Sequence, residues 1–199
     1  MTILIGGECY QVSPNVMCLL HWGLGPSLHA NSVKPTTIIF HWYDIGMQVG
    51  YTCWGGHMAH DHSASYYHIH HMDYHAILHS LVCSTPCMHI CLGAAIRGIQ
   101  PNPSIIGGPS VTLASGKVLY ADLIVSGDSV KSMLQKAVMG LNDRATPMGD
   151  TAYCTVICTN LMLEDPELCL FVGTPEMTTW MVLGHNLMAY CIVSHDHDQ

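Results

Sequence analysis

The sequence is short of fixed positive charge. It has six Lys plus Arg against 14 Asp plus Glu, a formal net charge of −8, and only two arginines, Arg97 and Arg144. Phosphate recognition needs clustered cations, so no nucleic-acid partner is expected. Long hydrophobic runs are also missing: no apolar stretch approaches the roughly 20 residues that cross a bilayer. The opening MTILIGG has no basic flank and is too short for a signal sequence. A soluble, cytoplasmic chain with no membrane partner follows as the expectation. A zinc-knuckle spacing is absent too, since Cys83-Ser-Thr-Pro-Cys87 and Cys154-Thr-Val-Ile-Cys158 do not match it. Without a secretory leader, and with irregular spacing, the ten cysteines read as free thiols.

What is present begins with a core. At 199 residues and 49% hydrophobic content the chain can bury one domain, or one and a half. Histidine is the odd abundance, with 15 in all and most of them between His57 and His89. His71, His75 and His79 are spaced i, i+4, i+8 on a segment with helical pattern, and Asp61, Asp73, His68 and His70 lie close in sequence. A His-rich divalent-metal protein is therefore one reading. Against it, no Glu sits between paired His, and there are more ligands than one site can use; no metal ligand is assigned.

Periodicity and turn chemistry give the element plan. Val16 to Trp22 reads as a short helix stopped by Gly23. Residues 36–52 read as two strands joined at Tyr43 to Gly46, and residues 72–82 as a helix. Met88 to Ile99 has strand composition. Ser110 to Val125 reads as a hairpin about Ala114 to Lys117, its second arm ending in the apolar run Leu123-Ile124-Val125. A helix is expected over Ser129 to Val138, with Ser129 in the N-cap region. Strand, tight turn and helix in that order suit a bound anion or phosphate-bearing cofactor, and equally an ordinary connection.

Five segments then resemble, in the same order, those of the FAD-dependent aromatic-ring monooxygenases, the family of salicylate hydroxylase and 4-hydroxybenzoate hydroxylase. YADLIVSGDSVKS is similar to that family's ADLVVGADGVHS segment, QVSPNVMCLLHWGLGP to its QVSPNASRLLRRWGLGP, and YYHIHHMDYHAIL to its YHIHRADLHRIL. TAYCTVICTNLMLEDPEL resembles a substrate-domain strand and loop, and WMVLGHNLMAYCI a late hairpin. The resemblance runs from about Gly7 to Ile192. It implies an α/β fold: an incomplete FAD/NAD(P)-binding, Rossmann-like domain (1–35 and 61–140) with an inserted β-sheet-rich substrate domain (36–60 and 145–192) and a polar tail (193–199). It also implies FAD as cofactor, NAD(P)H as co-substrate, and hydroxylation of a small, salicylate-like aromatic by O₂. The flavin carries such chemistry, so no side-chain nucleophile or acid–base pair is required of the protein, and no catalytic residue is assigned.

The resemblance places Asp128, flanked by Gly127 and Ser129, in the cleft where flavin and nicotinamide meet, and brings Cys18 and His71 to positions beside the cofactor. Departures are pronounced. The family's Gly-Ala-Asp-Gly is Ser126-Gly127-Asp128-Ser129, and its arginines fall at Cys18, His71, Gln135 and Cys154. Each replacement removes a fixed charge and a bidentate donor, which only a protonated His71 could partly restore. Arg codons become Cys, His or Gln codons by single transitions, so a gene copy altered by C-to-T change is a hypothesis; codons compared with an intact paralogue test it, and no transition bias would sink it. Gly6-Gly7 is no phosphate-binding fingerprint, and MTILIGGECYQVSPN joins the family pattern after its GxGxxG unit. An impaired flavoenzyme is therefore expected, with a non-catalytic remnant as the further alternative.

Overall fold

A computed structural model describes residues 2–5, 9–12, 16–101, 108–127, 132–140, 146, 149 and 151–192. The chain divides into two compact units, one of Met1–Met88 with Thr151–Gln199, the other of His89–Asp150.

The first unit holds β1 (Thr2–Ile5), β2 (Cys9–Val12), α1 (Met17–His21), α2 (Gly25–Asn31), β3 (Ser32–Val33), β4 (Thr37–Trp42), β5 (Gln48–Cys53), α3 (Gly55–His62), β6 (Tyr67–His70) and α4 (His71–Ser84). The second holds β7 (Ile96–Gln100), β8 (Ser110–Leu113), β9 (Val118–Tyr120) and α5 (Met133–Met139). The chain returns to the first with β10 (Thr155–Cys158), α6 (Thr159–Leu163), β11 (Glu176–Val182) and β12 (His185–Ile192). Six strands form one sheet in the order β10-β1-β12-β11-β4-β5, antiparallel except for the parallel β4–β11 pair. Two three-stranded antiparallel sheets, β2-β6-β3 and β7-β8-β9, complete the set.

Periodicity explains the first unit's packing. Tyr74, Ile77, Leu78 and Leu81 recur at i, i+3, i+4, i+7 along α4, one helical stripe. It packs on Val16, Leu19, Leu24 and Leu28 from α1 and α2 and on Tyr67 and Ile69 of β6. Along β12 the residues alternate: Tyr190 and Ile192 join Ile38 and Met177 on one face, while Ala189 and Cys191 join Met162 and Val172 on the other. A strand covered on both faces reads as a continuous apolar run, as AYCI does.

Three expectations are corrected. Leu123-Ile124-Val125 is not a buried strand: Leu123 and Val125 are 76% and 83% exposed, and the second arm of the hairpin ends at Tyr120. The Ala121 N–H bonds to Pro109 O at 3.0 Å, and beyond it the three-stranded sheet offers no further partner. The strand expected over Met88 to Ile99 is confined to Ile96–Gln100, because the chain turns at Gly93 with φ +67° and leaves Leu92 88% exposed. The helix expected from Ser129 begins at Met133, where the Ser132 hydroxyl accepts from the Gln135 N–H at 3.1 Å. The expected turn between Tyr43 and Gly46 is found, with Gly46 at φ +64° and its N–H on Trp42 O at 2.9 Å.

Candidate functional site

Of the residues the sequence picks out, Cys18 and His71 lie in the first unit. Cys18 is exposed on α1, one residue before buried Leu19; His71 opens α4 and is also exposed. The two helices share one apolar core, so both residues stand on a rigid support. Gly127 belongs to the second unit, in an exposed segment outside any helix or strand. A Cβ there meets nothing within 4 Å, and its φ is not left-handed. Neither backbone geometry nor the protein's own packing demands glycine at that position. Asp128 and Ser129 lie outside the described residues.

The histidines separate into distinct roles. His70 caps α4, its Nδ1 accepting the Met72 N–H at 3.3 Å. His75 and His79 stack at 6.2 Å on the exposed side of α4, and a His79 ring nitrogen lies 3.7 Å from Cys83 Sγ. His60 pairs with Asp61 at 2.7 Å, both well exposed, where such a pair contributes little. Among the described residues no three His, Cys, Asp or Glu gather as a metal site.

His68 differs from the rest. It is 1% exposed on the face of β6 opposite Tyr67 and Ile69, within an aromatic row: Trp54 to Tyr66 at 4.6 Å, Tyr66 to His68 at 5.6 Å, His68 to Tyr190 at 4.5 Å. Neither ring nitrogen makes a hydrogen bond of normal geometry. Burial pushes its pKa down to about 4, opposed only in part by the nearby Cys191 backbone. Burial likewise pushes the Cys191 thiol up to about 11, so it is an inert core group. Sequence reading placed His68 beside a possible metal; the signal it lacked was the partner strand, because alternation in YHIH shows which residues share a face but not that both faces are covered.

Among the described residues of the first unit, two concave regions have room for more than a water molecule or two. An open groove of about 520 Å³ runs between α2 and α4, with Trp22, Ser27, Asn31, Asp73, Ser80 and Ser84 on its walls. It contains a carboxylate and no cation, which disfavours a pyrophosphate. A hollow of about 290 Å³ is lined by Lys34, Thr36, Gly55, Gly56, Ser65 and Tyr66 among others, and Lys34 is the sole Lys or Arg of the first unit. It is small for a dinucleotide. Neither of these two concavities offers the clustered cations that a diphosphate prefers, and Cys18 and His71 stand exposed on α1 and α4.

The fold has counterparts among solved structures. HpxO of Klebsiella pneumoniae, solved with FAD and uric acid, superposes with a TM-score of 0.71 at 13% identity, over 95% of this chain and 45% of that one. For 2,6-dihydroxypyridine-3-hydroxylase of Arthrobacter nicotinovorans the TM-score is 0.56 at 13% identity, over 98% of this chain and 47% of the other. At such identities the likeness is one of fold, and the class it defines is the mixed α/β fold of these hydroxylases. Sequence goes further. No family model matches, but the chain is 30% identical over 178 residues to 3-amino-4-hydroxybenzoate 2-monooxygenase of Streptomyces cremeus, covering 87% of this chain and 43% of that protein. It is 25% identical over 190 residues to the FAD-dependent monooxygenase OpS4 of Beauveria bassiana, covering 94% and 43%. In sequence the chain is thus similar to these monooxygenases, and it spans under half the length of each.

Proposed function

We propose that this chain represents part of an FAD-dependent monooxygenase acting on a small aromatic substrate with NAD(P)H and O₂, with impaired cofactor binding. The observation that carries the reading is 30% identity over 178 residues to an aminohydroxybenzoate monooxygenase, along segments in the family's order. In this reading residues 1–35 and 61–140 serve the flavin domain and 36–60 and 145–192 the substrate domain. Cys18, His71, Gly127, Asp128 and Ser129 are the positions that the resemblance assigns to the cofactor, and a salicylate-like phenol is the substrate class. When bound, the flavin supplies reduction by the nicotinamide and activation of O₂. This chain's own residues position it and keep water out.

The weakness of binding follows from the donors. Cys18 and His71 stand where the resemblance places arginines, and neither offers a fixed guanidinium fork. Flavin absorbance of the purified chain, followed by fluorescence titration with FAD, tests the reading. Saturable binding is expected, tightened about tenfold or more by the double variant Cys18→Arg/His71→Arg through two charge-assisted contacts. Absence of binding at millimolar FAD in both proteins overturns it.

A further inference from the structure

Among the described residues the six-stranded sheet ends on β5, and this edge lacks the usual protections. Proteins blunt edge strands with charge, proline, brevity or a covering element. Gln48-Val-Gly-Tyr-Thr-Cys53 contains no charged residue and no proline, and runs for six residues. The opposite edge, β10, has four residues and continues directly into α6. In the second unit, the edge strands carry Arg97 within β7 and Lys117 immediately before β9. The bulge between β4 and β5 sits where Phe40 faces Gly50 and His41 faces Gln48, leaving Gly50 to Cys53 in regular register.

The ladder fixes which amides face outward. The Trp54 N–H bonds to Thr36 O at 2.8 Å, so by two-residue alternation Thr52 and Gly50 also turn their amides toward β4. Tyr51 and Cys53 therefore present N–H and C=O away from the sheet. Their side chains share a face, the Tyr51 hydroxyl lying 3.3 Å from Cys53 Sγ.

We propose that β5 is a self-association edge, pairing antiparallel with β5 of a second copy about a two-fold axis at Thr52. Tyr51 of each copy then faces Cys53 of the other, and the outward amides of both close a four-bond ladder. A two-fold contact uses one surface twice and closes, which favours a dimer over a fibre. The antiparallel arrangement carries each hairpin tip past the other copy's Cys53 to the start of its α3, where Gly55 and Gly56 have no side chains in the way. Apolar surface suited to such a contact is present: Tyr43 is 59% exposed, Ile45 66%, Met47 55%, Val49 45% and Tyr51 55%. Together with Trp42 these supply apolar material at the hairpin.

Sedimentation equilibrium on the full chain tests this with three variants. Tyr51→Pro removes an amide that does not serve the β4 ladder, and proline is tolerated on an edge facing solvent. Val49→Lys adds an edge charge, and Val156→Lys does the same on β10. The expected result is a monomer–dimer equilibrium in the micromolar range, weakened about tenfold or more by either β5 variant and unchanged by Val156→Lys, with near-ultraviolet circular dichroism preserved. A chain monomeric at about 200 μM, a dimer unmoved by Val49→Lys, an equilibrium lost with Val156→Lys, or open-ended oligomers in place of a dimer each overturn it.

Discussion

Folding changes the chemistry of His68 by burying it. In the unfolded chain it titrates near 6.5, and in the fold near 4. Between those values the unfolded chain binds a proton that the folded one refuses, so stability falls as pH drops from about 6.5 to about 4, by about 3 kcal/mol in total, and below that the contribution is flat. Urea denaturation at pH 7.5 and 4.5 reads this, and His68→Phe is expected to flatten that part of the difference. Because neither imidazole nitrogen makes a hydrogen bond of normal geometry in its buried position, the same variant is expected to be neutral or stabilising at pH 7.5; a loss there contradicts the packing described. Two glycines make a second pair at this scale. Gly108 has φ +79°, and a Cβ on it meets Ala121 O at 2.9 Å, so Gly108→Ala costs about 1–3 kcal/mol. Gly127→Ala, with open space and an ordinary φ, stays within about 0.5 kcal/mol by thermal melting.

At the scale of elements, helix ends show where local chemistry and fold diverge. α3 closes on Ser63 at φ +58°, a left-handed residue that is not glycine. Glycine is the usual occupant of that cap, so Ser63→Gly is expected to raise stability by about 0.5–1 kcal/mol, seen as an upward shift of the denaturation midpoint. The α4 stripe and the 43–46 turn were legible because each depends on residues within one or two turns of chain. The apolar run at Leu123 to Val125 was misleading for the opposite reason: a strand forms only where a partner accepts its ladder, and composition cannot supply one. Leu28 in α2, fully buried, is expected to lose about 2–5 kcal/mol on Leu28→Ala, measured in urea.

Across the whole molecule the buried apolar residues are unevenly shared. Every one described, from Val16 to Ile192, falls in the first unit, and between His89 and Asp150 the one described buried residue is Ser110. Protection from hydrogen exchange follows buried contacts, so amides of β7–β9 are expected to exchange orders of magnitude faster than those of β11–β12. Equal protection in the two sheets contradicts this distribution.

Covalent chemistry and short-range order were legible without the fold: the paucity of cations, the helix of α4, the β4–β5 hairpin, and the resemblance to the flavin monooxygenases, whose segments keep their order even though their arginines align with Cys18, His71, Gln135 and Cys154. Tertiary structure alone decided the rest. It buried His68 while leaving His75 and His79 in water, because burial depends on which strand packs above a residue and not on the residue itself. It gave Leu123 and Val125 to solvent, since among the described residues no strand lies beside them, and it left β5 at the edge of the described sheet, since the order of strands is set by contacts between segments far apart in the chain.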